Sequence, residues 1–259
     1  MTESNLEPLV QVANRLADRA RETVIDRLDA GFHVRTKGDG SIVTEVDLAV
    51  EASMRELLDE LRPQDGVHGE EYGGDATKHE WCWTLDPIDG TRAFAAGIPT
   101  FVTLIGLFHR GLPVVGVIEQ PLVRHRWVGA RGAATLFQGR PAKVRACDGL
   151  ASAVLGSTGP QFLRGDGVRE RFERLAAEVR DVQWGGDGYL YGALARGGID
   201  LVVESGLQVH DFCALVPVVE GAGGRMTDWR GEPLDAESAG DVLACGDARL
   251  FEWAKSLLL

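Results

Sequence analysis

Apolar positions along the chain follow a helical period first and then break into short runs. Leu6, Leu9, Val10, Ala13, Leu16, Ala17, Ala20, Val24, Ile25 and Leu28 recur every three or four residues, which is one face of a long amphipathic helix. The turn-rich stretch 35–41, RTKGDGS, interrupts the pattern. A second helix is predicted from about Glu45 to Leu61, entered through Thr44-Glu45-Val46-Asp47. Short strands follow at 67–70 and 81–85, and FVTLIGLFHRGLPVVGVIEQPLVRHRWVGA holds three more, separated at RGLP and QPLVR. ATLFQGRPAKV reads as a turn and another strand.

Beyond this point the pattern alternates. ASAVLGSTG is a strand and loop, 168–179 a helix, and WGGDGYLYGALARGG carries glycines into a helix. IDLVVESG is a compact strand, and HDFCALVPVVEGAGG one helix ending at glycines. The expected architecture is α/β, with layered helices and sheets of mixed strand direction, because several connections are short. A chain of 259 residues fits one large domain or two closely packed halves. A soft boundary is expected near 146–150, yet acidic motifs on both sides of it point to one shared site.

Composition narrows the function. With 44% hydrophobic and 25% charged residues the chain has ordinary globular proportions, and its net charge is −12. A broadly acidic surface argues against nucleic acid and anionic membranes as partners. A metal ion is the exception that reverses the sign of a single pocket. The four cysteines are scattered without a C-x-x-C pair, so they read as buried small apolar groups in a reducing compartment. The N-terminal segment has no apolar signal core, and no run approaches the roughly 18 apolar residues of a membrane span. A cytoplasmic protein is the expectation.

Carboxylates cluster in four segments: 37–47, Gly69-Glu70-Glu71, 86–91 and 204–211. Singly, most have structural explanations. Thr44-x-x-Asp47 is a capping box, the 69–72 stretch a solvated loop, and Asp211 an acid favoured near a helix N-terminus. Asp86-Pro87-Ile88-Asp89-Gly90-Thr91 is more specific. An apolar run ends on one aspartate and presents a second three residues on, and the intervening Ile88 carbonyl offers a third oxygen. Mg²⁺ takes oxygen ligands of this kind. Pro87 stiffens the turn, and Gly90-Thr91 opens a helix whose first amides form an anion site.

These residues resemble a known family. WTLDPIDGT matches the W-x-x-D-P-[IL]-D-G-T signature of the inositol monophosphatase-like, metal-dependent phosphatases. KGDGSIVTEVD, GEE and VHDFCALVPVVEGAGGRMTDWRG are similar to its other segments, in the same order over nearly the whole chain. The resemblance implies a layered α-β-α-β-α sandwich of the inositol monophosphatase/fructose-1,6-bisphosphatase type, usually a homodimer. It implies that Glu70, Asp86, the Ile88 carbonyl, Asp89 and Asp211 ligate two or three Mg²⁺ ions, with Asp47 at the weakest site. Gly90 and Thr91 would hold the phosphate of a small phosphate monoester, and Lys37 would lie in an active-site loop. Metal ions can clamp entering and leaving oxygens and acidify a bound water. Glu70 with Thr91 is then expected to orient and deprotonate that water, Asp86 and Asp89 to hold the metals, and Asp89 and Asp211 also to border the substrate. No Ser, Cys or His nucleophile is needed. The histidines form no H-x-x-x-H pair, and His33, His68, His79, His109 and His125 read as surface or structural.

GTRAFAAGIPTFVTLIGL, IEQPLVRHRWVGARG and WGGDGYLYGALARGGIDLVVESGLQVHD look most like the histidinol-phosphatase branch. Ala93 stands where the inositol branch usually has Asn. An ammonium and an imidazole on the substrate call for carboxylates not taken by metals, and Asp187 and Glu204 are the candidates. Their plainer readings are a helix N-cap for Asp187 and a solvated strand-end acid for Glu204. His210 departs from the Trp or Tyr that normally precedes the metal-binding aspartate. That change points to an altered substrate, such as a sugar, nucleoside or aminocyclitol phosphate; these and inositol 1-phosphate are the alternative substrates. A non-catalytic metal- or phosphate-binding protein is the alternative of a different class.

Overall fold

A computed structural model describes residues 5–36, 38 and 42–259. The chain opens with α1 (Glu7–Ala30), a hairpin of β1 (Val34–Thr36) and β2 (Ile42–Thr44), and α2 (Glu45–Leu61). A first sheet uses β3 (Gly66–Gly69), β4 (Trp81–Asp89), β5 (Val102–His109), β6 (Leu112–Gln120), β7 (His125–Ala130), β8 (Leu136–Phe137) and β9 (Arg140–Pro141), in that spatial order. Helix α3 (Thr91–Ala95) sits between β4 and β5. All neighbours in this sheet are antiparallel except the parallel pair β3–β4.

Residues 142–149 contain no helix or strand. After a single 3₁₀ turn at Leu150–Ser152 come β10 (Val154–Ser157), α4 (Val168–Ala176), β11 (Asp181–Trp184), α5 (Tyr189–Ala195) and β12 (Leu201–Glu204). The chain continues through α6 (Val209–Phe212), α7 (Leu215–Gly221), β13 (Arg225–Thr227), β14 (Val242–Cys245) and α8 (Ala248–Leu258). The second sheet runs β11-β10-β12-β14-β13, parallel around β10 and antiparallel at β14.

Three apolar clusters bind these pieces into five layers. Leu9, Leu16, Val50 and Met54 of α1 and α2 pack on Trp83, Leu85 and Ile105 of the first sheet. Leu190, Leu194, Phe212 and Leu215 of the middle helices lie between Leu104 and Ile118 of the first sheet and Val202 and Ala244 of the second. Phe172 and Leu175 of α4, with Leu250 and Phe251 of α8, cover the outer face at Leu155 and Leu243. The order helix, sheet, helix, sheet, helix is the expected sandwich, and its strand directions are mixed as the short connections require.

Several boundaries differ from the pattern reading. Strand β4 extends to Asp89, running through Pro87 instead of turning there. The expected helix after His210 is two, α6 and α7. Pro217 explains the break: it has no N–H to give the Cys213 carbonyl, and its ring crowds that carbonyl. Helix α4 ends at Ala176, short of Val179. Strands β1, β2, β11, β13 and β14 and helix α8 are additional to the sequence reading.

Candidate active site

The site is built on a defect in β4. In a regular strand, residues three apart face opposite sides. Here Asp86 pairs with Leu104 while Asp89 pairs with Val102, so β4 carries one residue more than β5 in this interval. That is a β-bulge, a usual place for a strand proline. Its effect on parity is visible in the core. Ile88 joins Trp83 and Leu85 in the cluster under α1 and α2, an odd step from Leu85, so Asp89 returns to the face of Asp86. Thr103 Oγ1 fixes the bulge by donating to the Pro87 carbonyl at 2.7 Å.

Asp211, the third residue of α6, completes the convergence. Ligand oxygens of Asp86, Asp89 and Asp211 all lie within 4.8 Å of one another. Each has a tether or lacks one in an informative way. Asp211 Oδ2 accepts from the Gln208 amide at 2.6 Å, so the helix-start reading and the cluster hold together. Asp89 Oδ2 accepts from the Gly188 amide. Asp86 Oδ1 is buried and has no hydrogen-bond partner among the described residues.

Helix α2 contributes from the other side. Thr44 caps it and Asp47 Oδ2 accepts from the Thr44 amide at 2.9 Å, closing the predicted capping box. Asp47 Oδ1 remains available and meets Thr91 Oγ1 at 3.3 Å; the same hydroxyl lies 3.0 Å from the Ile88 carbonyl. Gly90 precedes α3 at φ 90°, and a Cβ there would stand 2.9 Å from Asp187 Oδ2. Only glycine fits both demands. The first amides of α3 have no acceptor within the helix, as at any helix start. Glu70 follows β3, with its amide bonded to the Leu85 carbonyl at 3.1 Å.

Electrostatics give the cluster its character. Burial, then Glu70, Asp89, Asp211 and Asp47, push the Asp86 carboxyl well above the usual range. Burial, Asp187 and Asp211 do the same to Asp89, opposed by the Gly188 amide. Carboxylates crowded in this way require protons or a multivalent cation. An all-oxygen donor set with an orphaned Asp86 oxygen fits a hard divalent ion such as Mg²⁺.

Beside the cluster is a cavity of about 550 Å³, whose lining includes Glu70, Gly90, Thr91, Thr158, Trp184 and Asp187. Asp187 is held at φ 45°, a left-handed conformation uncommon for any residue but glycine. It is not the N-cap: Gly188 occupies that position. Burial, with Asp211 nearby, raises its carboxyl to about 6.

Glu204 corrects its expectations. It is 2% exposed, so it is not a solvated acid, and it lies behind the cavity wall instead of facing it. Its Oε1 accepts from the Thr158 amide at 2.6 Å and from the Thr158 hydroxyl at 2.9 Å, and burial raises it to about 7. Thr158, which carries that contact to the cavity, was not singled out by sequence. A Ser-Thr pair after a short strand carries no signal by itself.

His210 packs on His68, ring centroids 5.6 Å apart, and lies 3.5 Å from Asp211 Oδ1. Burial lowers His68, consistent with a structural ring. Lys37 lies outside the described residues.

An acidic cluster open to a helix start, shared between two sheets of a five-layer sandwich, is the layout of a metal-dependent phosphatase. Residues 5–257 match the inositol monophosphatase family, and the chain belongs to it. It is 40% identical to the histidinol-phosphatase of Mycobacterium tuberculosis over 228 residues, covering 86% of this chain and 88% of that one. Against the bifunctional phosphatase IMPL2, chloroplastic, of Arabidopsis thaliana, identity is 36% over 98% of this chain and 76% of the relative. A solved inositol monophosphatase from Zymomonas mobilis superposes with a TM-score of 0.89 at 43% identity, covering 98% and 99% of the two chains. The protein is thus a phosphomonoesterase by family.

Proposed function

We propose that this phosphatase hydrolyses histidinol phosphate to histidinol and phosphate, with Mg²⁺ held by Glu70, Asp86, the Ile88 carbonyl, Asp89 and Asp211, and Asp47 at the margin. Bound Mg²⁺ supplies positive charge for the phosphoryl oxygens and makes a water more acidic. The amides of Gly90 and Thr91 receive the phosphate. Thr91 Oγ1 donates to the Ile88 carbonyl or the Asp47 carboxylate, 3.0 and 3.3 Å away, and is left as an acceptor that orients a water proton. Glu70 takes the other proton. The water oxygen joins phosphorus as the ester P–O bond breaks, the departing alkoxide takes a proton from solvent water to give the alcohol, and Glu70 returns its proton to the hydroxide so formed.

The substrate assignment rests on one observation. Asp187, a carboxyl outside the Asp86–Asp89–Asp211 group, lines the cavity next to the phosphate cradle in a strained backbone conformation. Such a backbone costs on the order of 1–3 kcal/mol, a cost that a side chain with a role in the cavity would justify. An acid at that place suits a cationic alcohol better than a neutral polyol, which supports histidinol phosphate over inositol 1-phosphate. The likeness to the M. tuberculosis histidinol-phosphatase points the same way.

The test is a panel of histidinol phosphate, inositol 1-phosphate and p-nitrophenyl phosphate with Mg²⁺. The highest kcat/KM is expected for histidinol phosphate. Asp187→Asn should lower that value about ten- to a hundredfold, as loss of a charge-assisted contact of about 1.5–3 kcal/mol does, with a smaller loss on p-nitrophenyl phosphate. Faster turnover of inositol 1-phosphate overturns the substrate, and no turnover of any ester overturns catalysis in favour of a binding role.

A further inference from the structure

One polar stripe runs along α2 at a spacing of four residues: Asp47, Glu51, Arg55. Residues at this spacing share a helix face. The first reaches Thr91. The second is a glutamate with no solvent exposure at all, an arrangement rare unless every lone pair is engaged. Its partners are all in or beside the acidic loop. Oε2 accepts from the Glu71 amide at 2.7 Å, and Oε1 from the Tyr72 amide at 3.3 Å and from Arg55 Nε at 2.8 Å. Arg55 continues the grip, donating through Nη2 to the Gly73 carbonyl and lying 5.9 Å from the Tyr72 ring centre.

Every residue from Glu71 to Gly73 is therefore bonded to this Glu51–Arg55 pair. Glu70 is the residue immediately before, and its own amide is bonded to β4 through the Leu85 carbonyl. Room for the clamp is made by Gly69, where a Cβ would lie 1.9 Å from Glu51 Oε1. The loop closes on itself by reciprocal Gly69 and Gly73 amide–carbonyl bonds at 3.0 and 3.1 Å. A solvated loop needs none of this.

We infer that Glu51 is a positioning residue: with Arg55 it holds the 70–73 loop so that the Glu70 carboxylate stands at the metal cluster. This rests on the proposed role of Glu70. Helix α2 then sets two sides of the site from one rigid face, Asp47 directly and Glu70 through a buried carboxylate. A residue supporting a metal ligand in this manner typically affects metal affinity or activity by about 10–100-fold.

The experiment compares Glu51→Gln, Arg55→Gln and Glu70→Gln with the wild type in three measurements. They are Mg²⁺ affinity by calorimetry, amide exchange of Glu71 and Tyr72, and kcat and KM on the best ester. Glu51→Gln should weaken Mg²⁺ binding at least about tenfold and speed exchange at Glu71 and Tyr72 but not in β5. It should lower kcat more than it changes KM. Arg55→Gln, less buried and less disruptive to folding, should shift all three in the same direction by less. The inference is overturned if Glu70→Gln loses Mg²⁺ affinity while both clamp variants keep it within twofold. Unchanged Mg²⁺ binding and turnover in Glu70→Gln overturns the role of Glu70 itself, and the inference with it.

Discussion

Asp86 is buried, has an oxygen without a partner among the described residues, and is pressed from several sides by other carboxylates. Without metal its crowding is a source of strain, which the proposed Mg²⁺ would relieve. Asp86→Asn should therefore raise the melting temperature of metal-free protein at pH 8 and erase the rise that Mg²⁺ gives the wild type. It should also lower kcat by more than roughly a hundredfold, beyond what loss of a merely supporting residue does. Differential scanning fluorimetry with and without EDTA reads the first two effects. A variant that keeps its Mg²⁺-induced shift removes Asp86 from the cluster. The acidic residues were legible in sequence because DPIDGT places its carboxylates close together in the chain. The burial of Glu204 was not, since a strand-end acid looks the same in sequence whether water or Thr158 covers it. Glu51 was hidden for a related reason: four residues after Asp47 on a helix, it reads as one more polar surface position.

At the scale of elements, strong periodicity carried the most information. The ten periodic apolar positions, nine of them in α1 and Leu6 at its N-cap, and the apolar runs of β5, β6 and β7 predicted their elements well. β13 and β14 are runs of three and four residues, too short for a period to show, and β11 is a largely exposed edge strand. Helix α8 did carry a signal, with Asp247 capping and Leu250, Phe251, Ala254 and Leu258 buried on one side. The bulge in β4 had no signal except Pro87 itself. Polar contacts between distant elements were also illegible. Glu119 on β6, fully buried, accepts from Arg21 of α1 at 2.6 Å and from Arg126 of β7. Arg126 in turn bonds Asp18 at 2.7 Å, so a buried carboxylate anchors α1 to the sheet. Glu119→Ala leaves two guanidiniums without their shared partner. Urea unfolding should show a loss of about 3 kcal/mol, the low end for a broken buried ion pair because Arg21 keeps some contact with water. A loss below about 1 kcal/mol would mean that the apolar face of α1 alone sets its position.

At the scale of the whole molecule, the two sheets meet through a layer of helices and through shared acids. Asp86 and Asp89 come from the first sheet, and Asp187, Asp211 and Glu204 from the half built around the second. The five-layer order was legible through the family resemblance, and the alternation of elements alone gave only layering. Among the described residues no helix is long and apolar enough to cross a membrane. Acids gathered at the join tie stability to pH, and Glu204 is the clearest case because Thr158 and Ser157, not the proposed metal ligands, surround its carboxyl. Its folded value, about 7, is above the ordinary 4.5. Between those values the folded form binds more protons than the unfolded chain, so stability is highest below the ordinary value and falls as pH rises toward 7. Above 7 both forms are ionised and the penalty is constant. Glu204→Gln removes this term while keeping one oxygen to accept from Thr158. Any fixed cost of the weaker hydrogen bonds is the same at each pH and cancels in a comparison. With Mg²⁺ present throughout, the stability of Glu204→Gln relative to wild type should increase by about 2 kcal/mol between roughly pH 5.5 and 8.5. For a chain of this size that is several degrees in melting temperature. A difference that stays flat across this range would mean that Glu204 is ionised in the fold throughout, its charge borne by the Thr158 amide and hydroxyl.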